Sequence, residues 1–267
     1  MGSEVRVPFS ANARYPDPAV EVLDPSFASL RLYSASVEQL ATDLRWAEGP
    51  VWFGDGRYLL LSDIPNNRIV RWDACSGASS ICARDGSIWF TDPCFGILGF
   101  WEGEPATTEL PQAFYRLDPA TGTLQQHGAD LTAPNGLAFS PDESVLYGID
   151  SRAVPHRLIW AYDVGAGGAL SNKRLAVDAD GHGAFDGMAV DTLGNLWCGL
   201  GSTGAAGADP AALDGVRIYN PQGRAIGHIH LPERCANLCF GGQQGNRLFM
   251  AASHSLYALF VNVQGST

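Results

Sequence analysis

Five times in this 267-residue chain a polar turn is followed by a short apolar strand of one design. Gly54-Asp55-Gly56 precedes Leu59-Leu60-Leu61-Ser62-Asp63, and Arg84-Asp85-Gly86 precedes Ile88-Trp89-Phe90-Thr91-Asp92. Pro141-Asp142-Glu143 precedes Leu146-Tyr147-Gly148-Ile149-Asp150, Leu193-Gly194-Asn195 precedes Leu196-Trp197-Cys198, and Gln244-Gly245-Asn246 precedes Leu248-Phe249-Met250. Third strands follow at Arg68-Ile69-Val70-Arg71-Trp72, Ala113-Phe114-Tyr115-Arg116-Leu117 and Leu158-Ile159-Trp160-Ala161-Tyr162. Asp-containing turns of ordinary hairpin type close them. A small antiparallel unit repeated along one chain predicts an all-β fold of the β-propeller type, in which each unit is a blade.

The spacing adds a constraint. Leu59 to Ile88 is 29 residues, whereas Ile88 to Leu146 is 58, Leu146 to Leu196 is 50 and Leu196 to Leu248 is 52. A step of 29 is too short for a four-stranded blade, so the chain between Trp72 and Asp85 reads as cut. If two full steps belonged there, roughly 70 residues are absent on the repeat's own period. Residues 1–40 lie outside the pattern. Pro16, Pro18 and Pro25 interrupt them, which suggests an N-terminal arm with a short helical turn near Pro25, leaving 41–267 as the propeller domain.

One oxygen-donor side chain stands in the same register of three repeats. Glu48 opens Glu48-Gly49-Pro50-Val51-Trp52-Phe53, Asn135 opens Asn135-Gly136-Leu137-Ala138-Phe139, and Asp186 opens Asp186-Gly187-Met188-Ala189-Val190. Each lies 10 or 11 residues before the aligned position Leu59, Leu146 or Leu196, at the entry to the innermost strand. Innermost strands surround the channel of a propeller, so the three donors are expected at one channel mouth. Hard cations such as Ca²⁺ take carboxylate and amide oxygens. The plain alternative is that Asn-Gly and Asp-Gly are turn formers, which leaves Glu48 unexplained. The register supplies no fourth donor: it reaches Gly77 or Ala78 in the second repeat and Ala236 in the last.

Other function classes are narrowed by composition. A formal net charge of −11 gives no basic footprint for nucleic acid, and no apolar run approaches the ~18 residues of a membrane helix. The first residues lack a basic-then-apolar leader pattern, so a cytoplasmic location is the expectation. The cysteines at 75, 82, 94, 198, 235 and 239 form no CxxC pair and read as free thiols. Gly199-Leu200-Gly201-Ser202-Thr203-Gly204 fits GxGxxG, but no helical run follows it, which argues against a dinucleotide site. His228 and His230 share one strand face and read as solvent-facing rather than as a zinc pair. His182 reads as a loop histidine.

Four separated motifs, in order, resemble the senescence-marker-protein/regucalcin/gluconolactonase (SMP-30/gluconolactonase/LRE-like) family. They are Trp46-Ala47-Glu48-Gly49-Pro50-Val51-Trp52, Gly86-Ser87-Ile88-Trp89-Phe90-Thr91-Asp92-Pro93, Ala133-Pro134-Asn135-Gly136-Leu137-Ala138-Phe139-Ser140-Pro141-Asp142 and Phe185-Asp186-Gly187-Met188. The resemblance implies a six-bladed β-propeller that hydrolyses sugar lactones and binds one divalent metal, Ca²⁺ ahead of Zn²⁺ or Mg²⁺. It assigns Glu48, Asn135 and Asp186 as metal ligands and Asp186 as the general base. It also implies a further Asn ligand in a Ser-Pro-Asn-Asp motif, where this chain has Ala78-Ser79-Ser80, so about one blade is missing between Gly77 and Asp85. The expected partner is a small lactone, with the metal polarising its carbonyl. The rival readings are a phosphotriester or ester hydrolase on the same calcium propeller, and a non-catalytic remnant.

Overall fold

Period-two burial shapes the strands. Along Tyr58–Asp63 the residues Leu59, Leu61 and Asp63 are buried while Tyr58, Leu60 and Ser62 are half-exposed, as a strand inside a stacked sheet requires. The computed structural model describes residues 9–10, 14–54, 57–73, 87–100, 104–181 and 183–266. The N-terminal segment supplies β1 (Val20–Val22) and β2 (Glu38–Ala41). The first blade is β3 (Ala47–Phe53), β4 (Tyr58–Asp63) and β5 (Arg68–Asp73), and the second is β6 (Ile88–Thr91), β7 (Phe114–Asp118) and β8 (Thr123–His127). The third is β9 (Pro134–Phe139), β10 (Val145–Asp150), β11 (Leu158–Val164) and β12 (Leu170–Asp178). The fourth is β13 (Gly183–Val190), β14 (Leu196–Ser202), β15 (Gly215–Tyr219) and β16 (Ala225–His230), and the fifth is β17 (Cys235–Gly241), β18 (Arg247–Ala252) and β19 (Ser255–Phe260). Among the described residues the strands pair antiparallel with their chain neighbours, and in addition β1 joins the outer edge of β16 and β2 joins β19.

The fold is therefore an all-β propeller, but the described residues form five sheets rather than the family's six blades. Chain length is the reason. Between the end of a third strand and the next second strand, the chain must build an outer strand and an inner strand. It has 31 residues for this from Val164 to Leu196 and 27 from Tyr219 to Arg247, but only 14 from Asp73 to Ile88. The expected excision between Gly77 and Asp85, with Cys75, Cys82 and Ala78, lies outside the described residues.

Apolar clusters fill the spaces between blades. Ile149, Ile159 and Val177 meet Phe185, Leu196 and Cys198 between the third and fourth blades. Trp52 stacks on Phe249, with ring centroids 5.0 Å apart, between the first and fifth. Phe114 and Tyr162 join the second to the third. Among the described residues no such cluster joins the first blade to the second.

The arm packs as part of the body. Pro25–Ser29 form a 3-10 turn with Asp24 accepting from the Ser26 amide at its start, a normal capping contact. Phe27 from that turn is fully buried against Trp197. The buried Asp17 carboxylate accepts from the Ala19 and Val37 amides, tying the two ends of the segment together. Among the described residues no helix is long and apolar enough to cross a membrane.

Candidate active site

Each described inner strand carries an irregularity at the same height. The pairing shifts between Glu48 and Val51 on β3, opposite Asn135-Gly136 on β9, between Phe185 and Met188 on β13, and between Cys235 and Asn237 on β17. A bulge frees one residue from the ladder and re-aims its side chain. Asn135-Gly136 and Asp186-Gly187 thus lie inside strands, not in turns. Their glycines serve close approach: a Cβ on Gly136 would lie 2.6 Å from the Asp186 carbonyl oxygen, and one on Gly187 would lie 2.3 Å from Asn237 Oδ1.

The three donors come together. Glu48, Asn135 and Asp186 all line one cavity of about 900 Å³. Asn135 Nδ2 donates to Asp186 Oδ1 at 2.8 Å, and Asp186 is only 8% exposed. Arg234 Nη2 lies 3.3 Å from the other oxygen of Asp186, and a Cβ on Gly201 would lie 2.3 Å from Arg234 Cγ. Gly201 of the GxGxxG stretch therefore makes room for the Arg234 side chain. A narrower space of about 230 Å³ is lined by residues of the inner strands β3, β9, β13 and β17.

Two buried carboxylates fix the approach to the site. Asp63, at the end of β4, accepts from the Arg45 and Trp46 amides, from Asn66 Nδ2 and from Arg68 Nε. Burial alone would raise its pKa, but these hydrogen bonds together hold it below the usual carboxylate range. Asp150, at the end of β10, accepts from the Thr132 and Ala133 amides. These contacts pin the residues two and three places before Glu48 and Asn135.

Asn237 was not expected here. The last blade has Ala236 in the donor register, as the spacing indicates, but Asn237 stands where the others have glycine. Its Nδ2 donates to Glu48 Oε2 at 3.1 Å, which links the β3 donor to β17. Arg152, Arg157 and Arg234 also line the cavity, and no repeat position announced them. The Cys235 thiol behind the site is pushed well above its ordinary pKa, first by burial and then by the Asp186 and Glu48 charges, so it is no thiolate nucleophile.

Elsewhere the sequence expectations divide. His228 is fully buried, not solvent-facing. Arg217 Nε donates to its Nδ1 at 2.7 Å, while His230 reaches Glu21 on β1 at 2.9 Å. The pair ties β1 to the fourth blade. Among the described residues no cluster of three His, Cys, Asp or Glu side chains could hold a metal, so an ion at the cavity would need Asn135 beside Glu48 and Asp186. Cys94, Cys198, Cys235 and Cys239 are free thiols. His182 lies outside the described residues.

Comparison with known proteins bears on this geometry. A family model described as the SMP-30/gluconolactonase/LRE-like region matches residues 79–254. A gluconolactonase of Zymomonas mobilis subsp. mobilis is 27% identical over 303 aligned positions, covering 84% of this chain and 80% of its own. That alignment is longer than the present chain, so the relative carries residues this chain lacks. A pentonolactonase of Haloferax volcanii is 26% identical over 256 positions, covering 79% and 83%. The solved structure of a gluconolactonase from Xanthomonas campestris superposes with a TM-score of 0.78 at 28% identity, covering 96% of this chain and 99% of that one.

Proposed function

Because the chain belongs to the SMP-30/gluconolactonase/LRE-like family, we propose that it is a metal-dependent hydrolase that opens sugar lactones in the cavity lined by Glu48, Asn135 and Asp186. The observation that carries this is the convergence on one cavity of three oxygen donors, each beside or within a break in the pairing of a different inner strand. Relatives that act on five- and six-carbon sugar lactones, with most of this chain aligned, support the substrate class.

The donor set fits a hard divalent cation. Two carboxylates balance its charge, and an amide oxygen adds a ligand without adding charge. Asn135 uses its Nδ2 on Asp186, and among the described residues nothing donates to its Oδ1, which remains for an ion. Glu48 and Asn135 would hold the ion with Asp186. Ca²⁺ suits such oxygens better than Zn²⁺, which favours nitrogen and sulfur. When bound, the cation supplies a Lewis acid for the lactone carbonyl.

The protein groups do the rest. Asn135 on one oxygen and Arg234 on the other fix the plane of the Asp186 carboxylate. In that orientation Asp186 takes a proton from a water attacking the carbonyl carbon. The new C–O bond forms to water and the ring C–O bond breaks. The proton passes to the departing ring oxygen, leaving a hydroxy acid. Asn237 keeps Glu48 turned toward the site.

The test is a pH-stat assay of gluconolactone and, beside it, a phosphotriester, with and without a chelator. Lactone opening above the spontaneous rate, lost with chelator and restored by Ca²⁺, is expected. Chelator-insensitive opening, none above background, or faster turnover of the phosphotriester would overturn the proposal.

A further inference from the structure

The cavity holds more positive charge than a neutral sugar needs. Glu48 and Asp186 are its only carboxylates among the described residues, while Arg152, Arg157 and Arg234 also line it. The imbalance is local, since the whole chain carries a net charge of −11. Any divalent cation held by the carboxylates makes the surplus larger.

Two of the arginines stand on one loop at the cavity, Arg157 half-buried and Arg152 exposed. Arg157 Nη1 donates to the Ala153 carbonyl at 2.6 Å, which folds the loop between β10 and β11 back on itself. Arg152, in the same loop, stands over the Phe95 ring of the second blade, 5.4 Å from its centroid, within cation–π range. Among the described residues neither has a carboxylate partner. Among the described residues the Nε atoms of Arg157 and Arg234 are buried without an acceptor, as are those of Arg116 and Arg247 outside the cavity. Arginine forks suit phosphate, sulfonate and carboxylate oxygens.

We propose that the substrate is a sugar lactone bearing a second, anionic group, whose phosphate, sulfonate or carboxylate is held by Arg152 and Arg157 between the second and third blades. This rests on the lactonase reading and narrows its substrate class. Arg234, already against Asp186, belongs to the reacting end of the cavity and leaves the loop pair for the remote anion. Pro93, Phe95 and Leu98 line the same cavity with apolar surface.

The experiment compares kcat/KM for gluconolactone, 6-phosphogluconolactone and a glucarolactone, the last two separating phosphate from carboxylate. A preference of about tenfold or more for at least one charged lactone is expected, the size of one charge-assisted contact. Arg157→Met should reduce that preference by about tenfold, mainly through KM, and Arg157→Lys should restore part of it. If the wild-type protein opens gluconolactone as well as both charged lactones, the inference is overturned while the lactonase reading stands. If it opens no lactone, the lactonase reading fails, and calorimetry with 6-phosphogluconate and gluconate decides the anion site by itself. Tighter, salt-sensitive binding of the phosphorylated acid supports the site, and equal affinity refutes it.

Discussion

Asp186 is the residue on which most depends. It lies at a strand bulge, nearly buried, with one oxygen held by Asn135 and the other by Arg234. Asp186→Asn keeps the shape and removes both the charge and the proposed base, so kcat should fall by roughly 10²–10⁴-fold. Asn135→Ala removes one proposed neutral ligand and should cost less at saturating Ca²⁺. Steady-state kinetics on gluconolactone rank the two, and equal losses would detach Asp186 from proton transfer. The register of Glu48, Asn135 and Asp186 was legible in the sequence because each donor precedes a glycine and an apolar run. Asn237 was not, because it occupies the glycine position of its own repeat and only close packing against Gly187 turns it toward Glu48. The cavity arginines sit in connections of irregular length, where a repeat carries no positional information.

At the scale of elements, the strands hold the site through buried polar anchors. Asp63→Asn should destabilise the protein by about 1–3 kcal/mol, the range for hydrogen bonds to a charged group, and denaturant melts would show it as a shifted midpoint at unchanged slope. The fourth blade carries a pH dependence of its own. Burial, then the Arg217 charge and His230, lower the His228 pKa to about 3, against about 6.5 in an unfolded chain. Below about 6.5 the unfolded chain takes up a proton that the fold refuses until about 3. Stability is therefore lost as pH falls through that window, by up to about 1.4 kcal/mol per unit. Thermal melts from pH 7 to 4 should fall more steeply for the wild type than for His228→Gln, and parallel curves would contradict this. Hairpins with Asp-Pro or Gly turns were readable from local signals. The docking of β1 and β2 was not, because those short edge strands are selected by distant partners, β16 and β19.

Across the whole molecule, the fifth blade is completed by the chain's N-terminal side through β2, while the junction of the first and second blades is short. Ile69 on β5 is 72% exposed, an apolar residue at the edge where another strand would cover it. The repeat spacing exposed this shortening because a period makes a missing length visible, although five sheets rather than six required the fold itself. Inserting a family-like segment between Gly77 and Ser79, with its Ser-Pro-Asn-Asp motif, should raise the melting temperature, the Ca²⁺ affinity and the lactone turnover together. A chain that already melts sharply at high temperature and gains nothing from the insertion would show that the short junction is complete as it stands. The convergence of Glu48, Asn135 and Asp186 is tested most directly by calorimetric titration of Ca²⁺ into the purified, chelator-stripped protein and its Glu48→Gln and Asp186→Asn variants. One Ca²⁺ per chain is expected, with affinity at least about tenfold weaker in each variant, as expected when a charged ligand is lost. No binding to the wild type, or equal binding in all three, would contradict a metal site at these strands.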